Sequence, residues 1–382
     1  MKLTLERESF AKKVEAAISA LGNSIIPVLN EAFFQIKNDR LFITTSNGEV
    51  QLTVSTPCEV EGEEVEFICD IRLLRTPVTT LKAKEVFLEV TDKMVTLFTK
   101  RTKNKYEIPV VYKPESYPLL NAEKWSSPLE INGASFAKMI KKSSILVDGN
   151  NIREGMRGIM LESTSKTVTM ESVSGGGQAI CHLEVIPDPD SGILFEELDR
   201  CLIPKAIANV SQQFDKAKSV KISKDQKDKS LKIHDGSSIV VIRLLEGVFP
   251  DCKVFLDSYE PSINLKVLNE DFSLSLKRSS SFSDEYATIK IQMDAAEEIT
   301  IECEDLRFKR KAKETVPVSH KSEEMNFTSA VNYKQISKFL PLMEGESLFL
   351  SQIAKDKMMF MSDDSSEGFS TLWIMSSVKV ND

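Results

Sequence analysis

The chain has 382 residues, 41% of them hydrophobic and 28% charged, which is the balance of an ordinary globular protein with room for two or three cores. No stretch approaches the roughly 20 apolar residues of a membrane-spanning helix, and Met1–Arg7 alternates like a strand, without the apolar core of a leader peptide. The net charge of −8 gives no global signal for nucleic acid, and six widely spaced cysteines without a CxxC pair read as buried thiols in a reducing compartment, not a disulfide framework.

Along the chain one block recurs three times, at Leu3–Ser46, Leu129–Ser172 and Ile263–Cys303. The first copy opens with LTLERESFAKKVEAAIS, a strand and then a helix over 8–20 with Phe10, Val14 and Ile18 at helical spacing. AFFQIKNDRLFITTS then reads as two strands turned at Asn38-Asp39. A looser second block, EFICDIRLLRTPVTTLKAKEVFLEVTDKMVTLFT, predicts a helix over 71–82 capped by Asp70 and shortened or kinked at Pro77, followed by two more strands.

The second copy starts at LEINGASFAKMIKKSSI, a strand and a helix over 133–145 with Phe136 and Ile140 facing inward, then GIMLESTSKTVTMES with its turn at Ser163–Lys166. Its looser block, from Cys201, predicts a helix over 203–214 and further strands. The third copy, INLKVLNEDFSLSLKRSS, predicts a helix over 269–281 carrying Phe272 and Leu276, and ATIKIQMDAAEEITIEC two strands turned at Met293–Glu297. NFTSAVNYKQISKFLPLM predicts the last helix over 331–343, disturbed by Pro341. Polar segments at Asn121–Ser127 and Asp257–Ser262 divide the chain into domains 1–124, 125–257 and 258–382. Each would be an α+β unit of two helices backed by antiparallel sheet.

The charge is unevenly shared. The six predicted helices hold 13 Lys and Arg against 4 Asp and Glu, a net of +9, which leaves −17 for everything else. Surface helices ordinarily mix signs, so one-signed helices favour a common positive face over simple solvation. Lys12, Arg72, Lys138, Lys142, Lys205, Lys277, Lys334 and Lys338 are its candidate residues. Such a face would bind the phosphates of duplex DNA, and lysines without base-reading partners give position but no sequence specificity.

With MKLTLERESF at the start, ALGNSIIPVLNEAFFQI in the first domain, and NNIREGMRGIMLE and LLEGVFPDCKVF in the second, the chain resembles the bacterial DNA polymerase III beta subunit, the beta sliding clamp, over its whole length. The resemblance implies three repeated DNA-clamp domains closing as a dimeric ring, two copies head to tail around duplex DNA. It implies a non-catalytic processivity factor without cofactor or metal. It further implies DNA polymerase III alpha subunit, a clamp loader and other clamp-binding-motif proteins as partners, and a cytoplasmic, nucleoid-associated location. A divergent clamp-like paralogue acting mainly as a protein-interaction scaffold is the alternative.

Carried over by position, a groove for a partner's short peptide would be lined by Met156, Val173, Gly175, Gly176, Gly177, Pro250, Val254 and Phe255. Ile374, Met375 and Val378 would complete it, with Tyr333 nearby. Asn150 and Arg153 match further DNA-side positions. The dimer interface would use Lys103, Lys105, Tyr106 and Ile108 on an edge strand, against Ser281, Phe282, Glu302 and Glu304. The chain departs from the family at Ser174–Gly177, where an Asp-Gly-His-Arg-like turn is usual, at the C-terminal Met375–Val380, and at Ser24, where the family has arginine. The basic run Arg307–Lys313 falls close to where the family is mainly acidic, and a solvated loop explains it at least as well as an interface does.

Nothing signals catalysis. Gly175–Gly177 is not followed by the GxxxxGK[ST] of a phosphate loop. His182, His234 and His320 have no metal-ligand spacing, and Asp188–Asp190 and Asp363-Asp364 lie in turn-like stretches.

Overall fold

The computed structural model describes residues 1–22, 24–100, 104–122, 124–187, 194–227, 229–254, 263–293, 297–321, 327–354, 357–362, 368–376 and 378. The turn expected at Met293–Glu297, both domain junctions, and the Asp188–Asp190 and Asp363-Asp364 stretches lie wholly or partly outside these residues. The chain forms two compact units, Met1–Ala137 with Ala206–Leu245, and Lys138–Lys205 with Glu246–Asp382.

In the first unit the strand Lys2–Glu6 buries Leu3 and Leu5 on one face and leads directly into helix α1 (Arg7–Ile18). The Glu6 carboxylate caps it by accepting from the N–H groups of Glu8 and Ser9. Phe10 and Val14 are fully buried as predicted, while Ala17 takes the next inward position and Ile18 is only half-buried. Helix α2 (Arg72–Thr80) packs on α1 and runs through Pro77, ending early. Its N-cap is Ile71 and not the expected Asp70, whose carboxylate, one residue earlier, accepts from the Arg72 N–H at 3.0 Å.

The hairpin between Ala32–Lys37 and Arg40–Ser46 turns on Asn38 and Asp39 at φ 51° and 54°, the left-handed pair that matches strand twist in a two-residue turn. A five-stranded antiparallel sheet runs Glu59–Glu61, Lys2–Glu6, Glu85–Val90, Met94–Phe98, Lys105–Pro109. An eight-stranded sheet joins the two predicted domains of this unit where Val50–Pro57 pairs with Ser238–Arg243, Val240 lying opposite Leu52.

The second unit is built on one twelve-stranded sheet. Here Ala179–Val185 pairs with Phe369–Ser376, Trp373 opposite Cys181. Helix α4 (Asn269–Ser280) buries Phe272 and Leu276, and α5 (Tyr333–Phe339) stacks Phe339 on Trp373 at 4.5 Å between ring centroids. The helix stops at Phe339 and continues as a 3-10 turn over Leu340–Leu342, as Pro341 requires. Helix α3 (Gly133–Ser144) buries Phe136 and Ile140, and the division between the units falls within it.

The helix predicted over 203–214 is not α-helical. Strand Leu198–Pro204 runs into two 3-10 turns, Lys205–Asn209 and Ser211–Gln213. Asn209, Val210 and Ser211 are poor helix formers in succession, and the Ser211 hydroxyl donates to the Ala208 carbonyl at 2.9 Å, competing with the regular ladder. The basic run is not a solvated loop throughout: Leu306–Lys309 is an exposed turn, and Arg310–Lys313 begins the strand Arg310–Lys321. All six cysteines are buried and free. No described helix is long and apolar enough to cross a membrane.

Candidate partner groove, basic helices and strand edges

Two sequence signatures meet in the second unit. The segment Asn150–Glu162 contributes a 3-10 turn at Glu154–Met156, and Gly247–Phe249 passes against it. Gly155 and Gly247 permit the approach: a Cβ on Gly155 would stand 1.9 Å from the Val248 carbonyl oxygen, and one on Gly247 would stand 2.1 Å from the Gly155 nitrogen. Beside this crossing the Ser174–Gly177 turn closes the hairpin between Val168–Val173 and Ala179–Val185, with Gly177 at φ 71°. The Ser174 hydroxyl accepts from the N–H groups of Gln178 and Ala179 at 3.0 and 2.9 Å, and Asn151 Nδ2 donates to the Gly175 carbonyl at 3.0 Å.

These parts enclose a groove of about 710 Å³. Of the residues expected there, Met156, Val173, Gly175, Gly176, Gly177 and Pro250 line it. So do Asn150 and Arg153, which the resemblance had placed toward DNA. Asp148, Asn151, Ile152, Ile180 and Cys252 complete the wall and were missed by sequence reasoning. Asn151, Ile152 and Cys252 lie inside the two signatures already singled out, so the signal was available. Burial, then the Glu171 charge, pushes the Cys252 thiol up to about 12, so it presents a neutral surface.

Met375 does not line the groove: it is fully buried opposite Ala179 and belongs to the strand seam, because its alternation places it on the core face. Ile374, its neighbour, lies opposite Ile180 and is also buried. Val254 is exposed and off the lining, and Phe255 lies outside the described residues. Tyr333 is half-buried at the start of α5. The same helix reaches the glycine turn through Gln335 Nε2, which donates to Gln178 Oε1 at 2.6 Å. The Val378 N–H donates to the Ala330 carbonyl at 2.7 Å.

Two basic residues must be reassigned. Lys142 is 1% exposed, its ammonium donating to Thr371 Oγ1 at 3.1 Å and lying 5.2 Å from the centre of the Phe369 ring. Lys138, one turn earlier, pairs with Glu344 and sits over the same ring at 4.3 Å. The inward positions Phe136 and Ile140 carry both lysines onto strand Phe369–Ser376, so Lys142 cannot meet a phosphate and Lys138 is already neutralised.

The other candidates stay on the surface. Lys12 is exposed with Glu8 at 3.1 Å, and Arg72 holds Asp70 at 2.8 Å while donating to the Asn30 carbonyl at 3.0 Å. Lys205 donates to the Val147 carbonyl at 2.7 Å and Lys334 to the Glu285 carbonyl at 2.9 Å. Lys277 and Lys338 are exposed in the last turns of α4 and α5. Ser24 lies beside Arg72 and Asn30 in a small surface pocket.

Lys105, Tyr106 and Ile108 lie on Lys105–Pro109, which ends its sheet. Lys103 is outside the described residues. Ser281 and the half-exposed Phe282 follow α4. Glu302 and Glu304 stand on Glu298–Asp305, one strand in from Arg310–Lys321, and Glu302 pairs with Lys313 at 3.0 Å.

His182, which has no metal-ligand spacing in the sequence, is ion-paired in the structure. Its Nδ1 lies 3.0 Å from Glu171 and its Nε2 3.9 Å from Glu184, next to the seam strand. Burial works against the imidazolium, but hydrogen bonds to Glu171 and Glu184 outweigh it and lift the pKa to about 9. The same contact, chiefly the hydrogen bond from His182, holds Glu184 below the usual carboxylate range. The unfolded histidine titrates near 6.5, so its stabilisation is complete below that pH and is lost as pH rises through about 9. Thermal unfolding across pH 6 to 10 should show the wild type losing on the order of 2 kcal/mol relative to His182→Gln. Parallel pH profiles for the two proteins would exclude this role.

Residues 1–121 match the DNA polymerase III beta subunit N-terminal domain. Curated relatives include the beta sliding clamps of Staphylococcus epidermidis, 21% identical over 318 residues, and Staphylococcus aureus, 20% identical over 310, each covering 78% of this chain and 79% of the relative. Among solved structures, the DNA polymerase III beta subunits of Pseudomonas aeruginosa and Thermotoga maritima each superpose with a TM-score of 0.86 at 16% identity, covering 100% of both chains. The resemblance read from the sequence is matched on three counts: residues 1–121 are similar to the beta subunit N-terminal domain, most of the chain is similar to bacterial beta sliding clamps, and the fold of the whole chain is that of the solved beta subunits.

Proposed function

We propose that the chain is a DNA sliding clamp, a non-catalytic processivity factor of three clamp domains, 1–124, 125–257 and 258–382. Two copies would close into a ring around duplex DNA in the cytoplasm. The groove beside Gly175–Gly177 would hold short peptides of DNA polymerase III alpha subunit, the clamp loader and other partners. The observation that carries this reading is the groove itself: residues from two distant signatures and one glycine turn converge on a hollow of about 710 Å³ that combines apolar and polar side chains and is large enough for anchoring side chains. The glycines at 175–177 remove the side chains that usually shape this turn, which favours a partner preference of its own.

The DNA-side residues proposed are Lys12, Arg72, Lys205, Lys277, Lys334 and Lys338. They would act through phosphates, so retention should be independent of sequence and weaken with salt. The test is loading onto nicked circular DNA followed by linearisation. A ring stays on the circle and leaves through the ends; equal retention on both forms would refute encirclement. Reversing Lys12, Lys277 and Lys338 together to Glu should cut retention about tenfold or more while leaving the oligomeric state unchanged in sedimentation.

A further inference from the structure

The strands Glu298–Asp305 and Arg310–Lys321 form a hairpin whose ladder runs from Glu298 opposite Pro317 to Asp305 opposite Arg310. Four residues close it: Leu306, Arg307, Phe308 and Lys309. The buried Asp305 carboxylate accepts from the N–H groups of Arg307 and Phe308 at 3.0 and 3.1 Å, and Lys309 completes the turn at φ 54°. The turn is therefore held at its base by its own hydrogen bonds.

What it presents sets it apart from the rest of the chain. From Leu306 to Lys313 the sequence holds five Lys and Arg and no acid, in a protein of net charge −8. Lys313 pairs with Glu302 at 3.0 Å. Among the described residues no carboxylate pairs with Arg307, Lys309, Arg310 or Lys311, whereas Lys12, Arg72, Arg75, Lys138 and Arg278 each have one. The same turn exposes two apolar side chains, Leu306 at 80% and Phe308 at 58%. The guanidinium carbons of Arg307 and Arg310 stand 5.4 and 4.9 Å from the centre of the Phe308 ring, so cations are gathered around the apolar tip.

Three kinds of occupant differ in what they offer these side chains. A nucleic acid would neutralise the cations but leave Leu306 in water, and Phe308 already meets two guanidinium groups in place of a stacked base. A folded acidic partner needs a footprint of roughly 800 Å², which a four-residue turn does not offer. The interfacial layer of an anionic bilayer supplies both halves of the match in a small area: phosphates for the cations, and acyl carbon for Leu306 and Phe308.

We infer that the Leu306–Lys309 turn is a docking tip for an anionic lipid surface. Leu306 and Phe308 enter the layer beneath the headgroups, and Arg307, Lys309 and Arg310 hold the phosphates above them. The contact is peripheral and reversible, since two apolar side chains and a few charges fall well short of a stable anchor. It is independent of the clamp reading.

The full chain should co-sediment with vesicles of phosphatidylcholine and phosphatidylglycerol in equal parts, but not with phosphatidylcholine alone, and salt should weaken the binding. Leu306→Ser with Phe308→Ser should lower the affinity about tenfold or more. So should Arg307→Ser with Lys309→Asn, since asparagine suits the positive φ of the turn. All four side chains are exposed, so thermal unfolding of both variants should match the wild type. Phe308→Trp should shift its emission to the blue when the anionic vesicles are added, which adsorption by charge alone would not produce. A wild-type chain that stays in solution with both vesicle types, a serine pair that binds as well as the wild type, or an unshifted emission would overturn the inference. So would tip variants that keep vesicle binding and lose binding to a single-stranded oligonucleotide, which would make the turn a nucleic-acid site. DNA retention on nicked circles should be the same in both variants as in the wild type. A wild type that is never retained there would overturn the ring reading and leave the lipid result standing.

Discussion

Lys142→Glu should unfold the second unit, not merely weaken DNA retention. The wild-type ammonium is buried against the Phe369 ring and Thr371 Oγ1, beside the paired Lys138. A carboxylate there meets the negative face of the ring and faces burial without a matching donor. Inverting one buried charge in this way costs about 3–5 kcal/mol, a large share of a domain's stability. Lys142→Met keeps the stem and removes the charge, and buried charges replaced by apolar side chains of similar volume are often tolerated. Urea unfolding should therefore show Lys142→Met near the wild type and Lys142→Glu far below it. Should Lys142→Glu remain as stable as the wild type and lose only DNA retention, the burial argument fails and the residue returns to the DNA side.

The second large effect is expected at the glycine crossing. Gly155→Ala places a methyl group 1.9 Å from the Val248 oxygen and 2.4 Å from its carbonyl carbon, both backbone atoms that cannot swing aside. Relief requires separating Glu154–Met156 from Gly247–Phe249, which carries Met156 and Pro250 away from the groove they line. We expect a loss of about 3 kcal/mol or more and loss of binding to a Gln-Leu-x-Leu-Phe-type peptide in a titration. Gly176→Ala is the control. Its Cβ would have nothing nearer than 3.7 Å and its φ is not left-handed, so stability should be nearly unchanged. Equal behaviour of the two variants would show that the crossing is not what shapes the groove.

The first expectation differs from what the chain's pattern alone suggested, for a definite reason. Helical spacing says which residues share a face, and it put Phe136 and Ile140 inside correctly. It says nothing of what the flanking lysines meet, because Phe369 and Thr371 lie more than two hundred residues away. The predicted helix at 203–214 failed on local grounds instead. Its buried Ile207, Val210 and Phe214 suit an α-helix or a 3-10 turn, and Asn209 and Ser211 tip the balance. In the groove, residue types within the two signatures were readable, but convergence of Asp148, Ile180 and Cys252 was not.

The sequence by itself determined the repeated α+β architecture, the turn at Asn38-Asp39, the truncation at Pro341 and the concentration of positive charge on helices. Each of these depends on residues within a few positions of one another, where periodicity, φ preference and charge act directly. Only the tertiary structure decided which lysines are surface and which are core, and that Gly155 and Gly247 must both lack a side chain. Those outcomes depend on contacts between residues distant in the chain, and distance along a sequence carries no information about which strand will arrive opposite which.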